Sequence, residues 1–163
     1  MAEPLADQII RKTQEVTELY HRLVIIVAPS GSGKTAALQE VSKRTGYPRI
    51  NVNLELSRCL LDLTERQRAL QVPCLLDVIA GAASTDVVLL DNVEILFDVN
   101  LKLDPLQCLR GLSRNRTVVV AWNGMLTSDG AHNSRLTYAE PGHPEYRRYP
   151  VGDLVVVSPV VTA

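Results

Sequence analysis

Along this chain, short continuous runs of apolar residues alternate with stretches in which apolar and polar positions mix at helical spacing. Residues 5–22 carry apolar side chains at Leu5, Ile9, Ile10, Val16, Leu19 and Tyr20 with charges between them, which predicts a helix. Residues 23–27 (Leu-Val-Ile-Ile-Val) form an unbroken, mostly β-branched run, the pattern of a strand buried on both faces at the centre of a parallel sheet. A glycine-rich turn follows, then a helical stretch from Thr35 to about Lys43, with Gly46 where a helix C-cap belongs. Further strands are predicted over residues 49–53, 86–91, 116–122 and 153–157, with a possible short one at 135–138. Between them lie two helical runs over 54–83, broken near Val72 and Pro73, the first ending in Thr64-Glu65-Arg66-Gln67-Arg68. A helix over 92–97 and another from Asp104 to Ser113 complete the set, while residues 124–150, rich in Gly, Ser, Asn and Pro, read as mostly loop.

Strands alternating with helices predict one α/β domain over residues 1–163, a three-layer sandwich around a mainly parallel five-stranded sheet. Composition agrees: apolar residues make up 46% and charged residues 21% of the chain, an ordinary globular balance. The net charge of −1 leaves no global basic excess, so any DNA contact would have to be local. No apolar run approaches the ~20 residues a bilayer span needs, and residues 1–7 lack a signal-peptide pattern, so the expected location is the cytoplasm. Cys59, Cys74 and Cys108 are far apart, in apolar contexts and without histidine neighbours, which predicts buried structural thiols.

The chemistry concentrates in Ala28-Pro29-Ser30-Gly31-Ser32-Gly33-Lys34-Thr35, with Ala36 just inside the helix. Phosphate oxygens need donors that converge without side chains in the way. Glycines at a strand-to-helix turn let backbone N–H groups curl around an anion, and the helix N-terminus adds its unpaired donors. In this pattern Lys34 reaches the β- and γ-phosphates of a nucleoside triphosphate such as ATP, and the Thr35 hydroxyl ligates Mg2+. Ala28 stands where the motif has its first glycine.

Asp91 ends an apolar strand, at the strand end where open α/β sheets bind ligands, and is the candidate second holder of Mg2+; its alternative is an N-cap. Asn92 occupies the position where many such ATPases have a glutamate. Glu94 either polarises the attacking water or closes a capping box with Asp91. Asn123, after the fourth strand, either senses the terminal phosphate or is a turn residue before Gly124. Arg110, Arg114, Arg116, Arg135, Arg147 and Arg148 are candidates to complete a neighbouring subunit's site, so a lone subunit is expected to be a slow ATPase that needs self-assembly or a partner. His21, His132 and His143 are dispersed, which argues against metal ligation. The 64–68 segment reads as an exposed helix face.

The order of cradle, aspartate-tipped strand, asparagine-tipped strand and final strand resembles the AAA+/ASCE branch of P-loop ATPases, without the helical lid that usually follows the fifth strand. A closer resemblance spans most of the chain. VAPSGSGKT (27–35), INVNLELSRCLLDLTERQR (50–68), VVLLDNVEILFD (87–98), VVVAWNG (118–124) and YAEPGHPEY (138–146) followed by DLVVV are similar to the BrxF family of type 3 BREX anti-phage systems. That resemblance implies a bacterial defence role, with other BREX components as partners, including a methyltransferase and a larger ATPase. Two other readings stay open: a nucleotide-gated scaffold with little turnover, and a small-molecule kinase with residues 124–150 as its lid.

Overall fold

The computed structural model describes residues 4–82, 84–128, 134–139, 141–151 and 154–158. Seven strands and five α-helices follow in order: α1 (Leu5–Glu15), β1 (Leu23–Ala28), α2 (Lys34–Thr45), β2 (Arg49–Asn51), α3 (Val52–Leu60), α4 (Glu65–Gly81), β3 (Val87–Asp91), α5 (Pro105–Leu112), β4 (Thr117–Ser128), β5 (Ser134–Tyr138), β6 (Arg147–Pro150) and β7 (Val155–Val157). Five strands pair in parallel in the order β2-β3-β4-β1-β7, as the α/β reading requires. The predicted strand and helix over 116–122 and 104–113 appear as β4 and α5, the latter started by Asp104, whose carboxylate accepts the Gln107 N–H.

The sheet's two faces are covered by different helices. Ile26, Val24, Leu89 and Val119 point to the α1 and α2 side, against Ile9, Leu38 and Val41. Their neighbours Ile25, Val27, Leu90, Val120 and Trp122 point to the α3–α5 side, against Val52, Leu56, Val72, Leu76 and Leu109. This alternation explains why β1, and β3 up to its terminal Asp91, are apolar: every one of their residues is buried. Among the described residues no helix is long and apolar enough to cross a membrane.

Several expectations need correction. The break between the two helical runs falls at residues 61–64, and Pro73 lies inside α4. Thr64 and Gln67 form a reciprocal capping box, so the 64–68 segment starts the second helix instead of ending the first. Pro73 removes one donor from the interior, yet buried Val72, Leu76 and Ala80 anchor one face and carry the helix through. Residues 92–97 form a 3-10 turn over Glu94–Phe97, not an α-helix.

The larger correction concerns residues 124–150, which are not mostly loop. β4 continues to Ser128 and pairs antiparallel with β5, which pairs antiparallel with β6. Trp122 is fully buried, and its Nε1–H donates to the Thr137 carbonyl at 2.9 Å. The Tyr138 ring stacks on Phe97 with centroids 3.4 Å apart, while Trp122 meets both edge-on. Gly124 permits the close approach of these strands, because a Cβ there would overlap the Thr137 carbonyl. Cys59 and Cys74 are exposed and Cys108 half-buried, contrary to the reading of three buried thiols. Burial in α3 and α4 runs at every fourth residue (52, 56, 60 and 72, 76, 80), which leaves positions 59 and 74 off the buried rows. Asp153 and His132 lie outside the described residues.

Candidate functional site

Beside the C-terminal ends of β1 and β3 and the middle of β4, the turn after β1 wraps one side of a polar cavity of about 180 Å³. Gly31 and Gly33 take φ values of +81° and +88°, a left-handed conformation that suits residues without a Cβ. Gly33 directly precedes α2, so the helix's unpaired N–H groups face the cavity's rim. Ser30, Gly31, Gly33, Lys34 and Thr35 line it from this side; Asp91 at the β3 tip, Asn92 and Glu94 just beyond it, and Ala121 and Asn123 within β4 line the other.

The charged groups are held by named partners. Lys34, 6% exposed, folds back so that its Nζ donates to the Ala28 and Pro29 carbonyls at 2.7 and 2.8 Å. Burial lowers its pKa, opposed by the nearby negative charges of Asp91 and Glu94. Asp91, 3% exposed, accepts the Asn92 N–H on Oδ1 at 3.0 Å and the Arg49 Nη1–H on Oδ2 at 3.4 Å. Asn92 has φ +54°, which turns the chain sharply off the end of β3. Glu94 is gripped from two sides: Asn123 Nδ2 donates to Oε1 at 2.6 Å and Asn53 Nδ2 to Oε2 at 3.0 Å.

These contacts decide between the alternatives of the sequence. Asp91 does not N-cap the following turn, which is preceded by Val93 and has no side-chain cap. Glu94 turns toward the two asparagine amides and closes no capping box with Asp91. Asn123 is a strand residue beside Ala28, not a turn residue. Of the cradle positions, Ala28 and Pro29 contribute carbonyls to Lys34, while Ser32 and Ala36 are exposed.

Asn53 and Arg49 were not apparent as site residues. The polar-apolar alternation Arg49-Ile50-Asn51-Val52-Asn53 was their signal, since parallel pairing of Asn51 with Asp91 brings that stretch beside the β3 tip. Asn53 is fastened there by its own backbone, its N–H donating to the Asn92 carbonyl at 2.8 Å while its Oδ1 accepts the Ile95 N–H at 2.8 Å. None of the six candidate arginines lines the cavity. Arg116 instead pairs with Asp77 at 3.0 Å, and Arg114 lies over the Tyr20 ring.

A second cavity, about 420 Å³, shares Ser30 and Asn123 with the first and is roofed by Ala139, Pro141 and His143. His143 accepts the Glu145 N–H on Nδ1 at 3.0 Å, so its neutral ring carries the proton on Nε2.

No family model and no curated protein matches this chain. Among solved structures it is similar to PCH-2 of C. elegans, at 22% sequence identity over 77% of this chain, with a TM-score of 0.36. The aligned part spans 36% of the PCH-2 chain.

Proposed function

We propose that this protein binds a nucleoside triphosphate, ATP with Mg2+, in the cavity at the head of α2 and hydrolyses it slowly. The observation that carries this reading is the meeting of Lys34, Thr35, Asp91, Glu94 and Asn123 around one cavity, from the start of α2, the end of β3 with the turn beyond it, and β4. The backbone N–H groups of the Gly31–Thr35 turn supply the phosphate cradle, with the α2 N-terminus adding its partial positive charge. Lys34 then exchanges its two loop carbonyls for phosphate oxygens, a change from neutral to charged acceptors.

The donor set fits magnesium, a hard cation: a carboxylate from Asp91 and a hydroxyl from Thr35 line the same cavity. Bound there with ATP, the metal would neutralise charge on the phosphate oxygens. Glu94, oriented by Asn53 and Asn123, is placed to take the proton of an attacking water. Asn123 stands on both cavities and is the residue to touch the terminal phosphate.

Slow turnover follows from the cation inventory. None of the six candidate arginines lines this cavity, so transition-state charge is left for a second copy of the chain or a partner to neutralise. On the resemblance of its motifs to BrxF, we place the protein in a BREX-type phage-resistance assembly, acting with other components of that system. A nucleotide-gated scaffold is the second reading, favoured by the double amide grip on Glu94, which restrains the proposed base.

Steady-state ATPase activity across a wide protein concentration range, with Lys34→Ala as control, tests the proposal. Turnover per subunit that rises with concentration is expected, together with loss of nucleotide binding in the variant by about 100-fold or more, ~3 kcal/mol. Unchanged binding by Lys34→Ala overturns the site assignment. Tight ATP binding with turnover near zero at every concentration selects the scaffold.

A further inference from the structure

Asp91 is nearly inaccessible, and a buried carboxylate without a counter-charge is costly. Lys34 feels the charge of Asp91 but spends its hydrogen bonds on the Ala28 and Pro29 carbonyls. The direct ion pair comes from β2. Asn51 is in register with Asp91, and Arg49, two residues earlier in the same strand, reaches forward to Asp91 Oδ2. This contact is made by one guanidinium nitrogen at 3.4 Å, without the two-point fork that makes arginine pairs strong. The Arg49 side chain is 32% exposed while that of Asp91 is 4% exposed, so the arginine can swing out to solvent while the aspartate stays in place at the cavity wall.

Resting on the nucleotide–magnesium reading of the site, we infer that Arg49 is its resident counter-cation, neutralising Asp91 in the metal-free state and yielding that carboxylate when Mg2+ arrives. Arg49 and the metal therefore compete for the Asp91 carboxylate, the arginine at its Oδ2. Two consequences of opposite sign follow. The arginine raises the Mg2+ concentration needed to load the site, because the ion pair must first be broken. It also assists metal-free nucleotide, because it cancels a negative charge that would otherwise repel the phosphates. A residue that merely braced β2 against β3 would move neither quantity in opposite directions.

The test uses a fluorescent ATP analogue titrated with Mg2+, and separately in EDTA, on the wild-type chain, Arg49→Ala and Arg49→Lys. For Arg49→Ala the half-saturating Mg2+ concentration is expected to fall about 5-fold or more, in the range of ordinary coupling between sites, while affinity in EDTA weakens. Arg49→Lys, which keeps the charge without the planar fork, is expected to fall between, and it carries the test if circular dichroism shows that Arg49→Ala does not fold. An unchanged or higher Mg2+ midpoint in a folded variant overturns the competition while leaving the nucleotide site standing. A wild-type chain that binds no nucleotide at any Mg2+ concentration overturns both.

Discussion

The sheet of this protein has two halves built on different terms. The parallel half, β2-β3-β4-β1-β7, draws its strands from apolar runs buried on both faces, and its tips carry the site. The antiparallel half, the end of β4 with β5 and β6, comes from a polar, glycine- and proline-containing stretch. It is held by a few specific contacts: Trp122 to the Thr137 carbonyl, Tyr138 stacked on Phe97, and Gly124 against the Thr137 backbone. The comparison teaches that a strand stabilised by bulk apolar burial announces itself in sequence, whereas of those held by particular partners only β5 was legible, as the short strand at 135–138, and not the extension of β4 or β6.

Glu94→Gln probes the parallel half with the largest expected effect. Hydrolysis should fall by about 100-fold or more, read in single-turnover assays, with thermal stability little changed because an amide oxygen still accepts from Asn53 or Asn123. An undiminished rate would remove Glu94 from the chemistry. Gly124→Val strikes the other half, where the added side chain meets backbone that cannot step aside. A loss of about 2–3 kcal/mol in denaturant unfolding is expected, and a loss below 0.5 would mean that the hairpin detaches without consequence for the rest. Trp122→Phe keeps most of the packing but leaves the buried Thr137 carbonyl without its indole donor, at an expected cost of about 1–3 kcal/mol.

The smallest effect is also the one that separates the halves by sign. Burial raises the Tyr149 pKa to about 12 from an ordinary 10, and raises that of Tyr138 as well. Their contribution is fully present below pH 10 and is lost as pH climbs from 10 toward 12. Lys34 runs the other way: burial lowers its pKa, so its charged form is disfavoured in the folded state at neutral pH, and that penalty disappears as pH rises past 10.5. Thermal melts from pH 9 to 11 should therefore show a steeper alkaline decline in the wild-type chain than in Tyr149→Phe. Equal slopes would mean that Tyr149 ionises equally well folded and unfolded.

Much of the site was legible beforehand because its parts are local. Lys34 and Thr35 follow the glycines within a few residues, and Asp91 ends an apolar run that can only be a buried strand. Glu94 and Asn123 were legible as candidates, each with a local alternative of capping or turning, and only their meeting at 2.6 Å discarded those alternatives. Asn53 carried only the polar-apolar alternation of residues 49–53, which points to no partner until β2 is set beside β3.

By itself, the sequence determined the parallel α/β framework, the glycine turn before α2 and the aspartate at the β3 tip, because each depends on residues adjacent in the chain: apolar runs, positive-φ glycines and a helix start. Tertiary structure alone decided the antiparallel extension, the passage of α4 through Pro73, the exposure of Cys59 and Cys74, and the pairing of Arg49 with Asp91 and of Asn53 with Glu94. The last two outcomes turn on which groups 40 or so residues apart come within hydrogen-bond reach, and a distance of 3 Å across a sheet leaves no periodic trace along the chain.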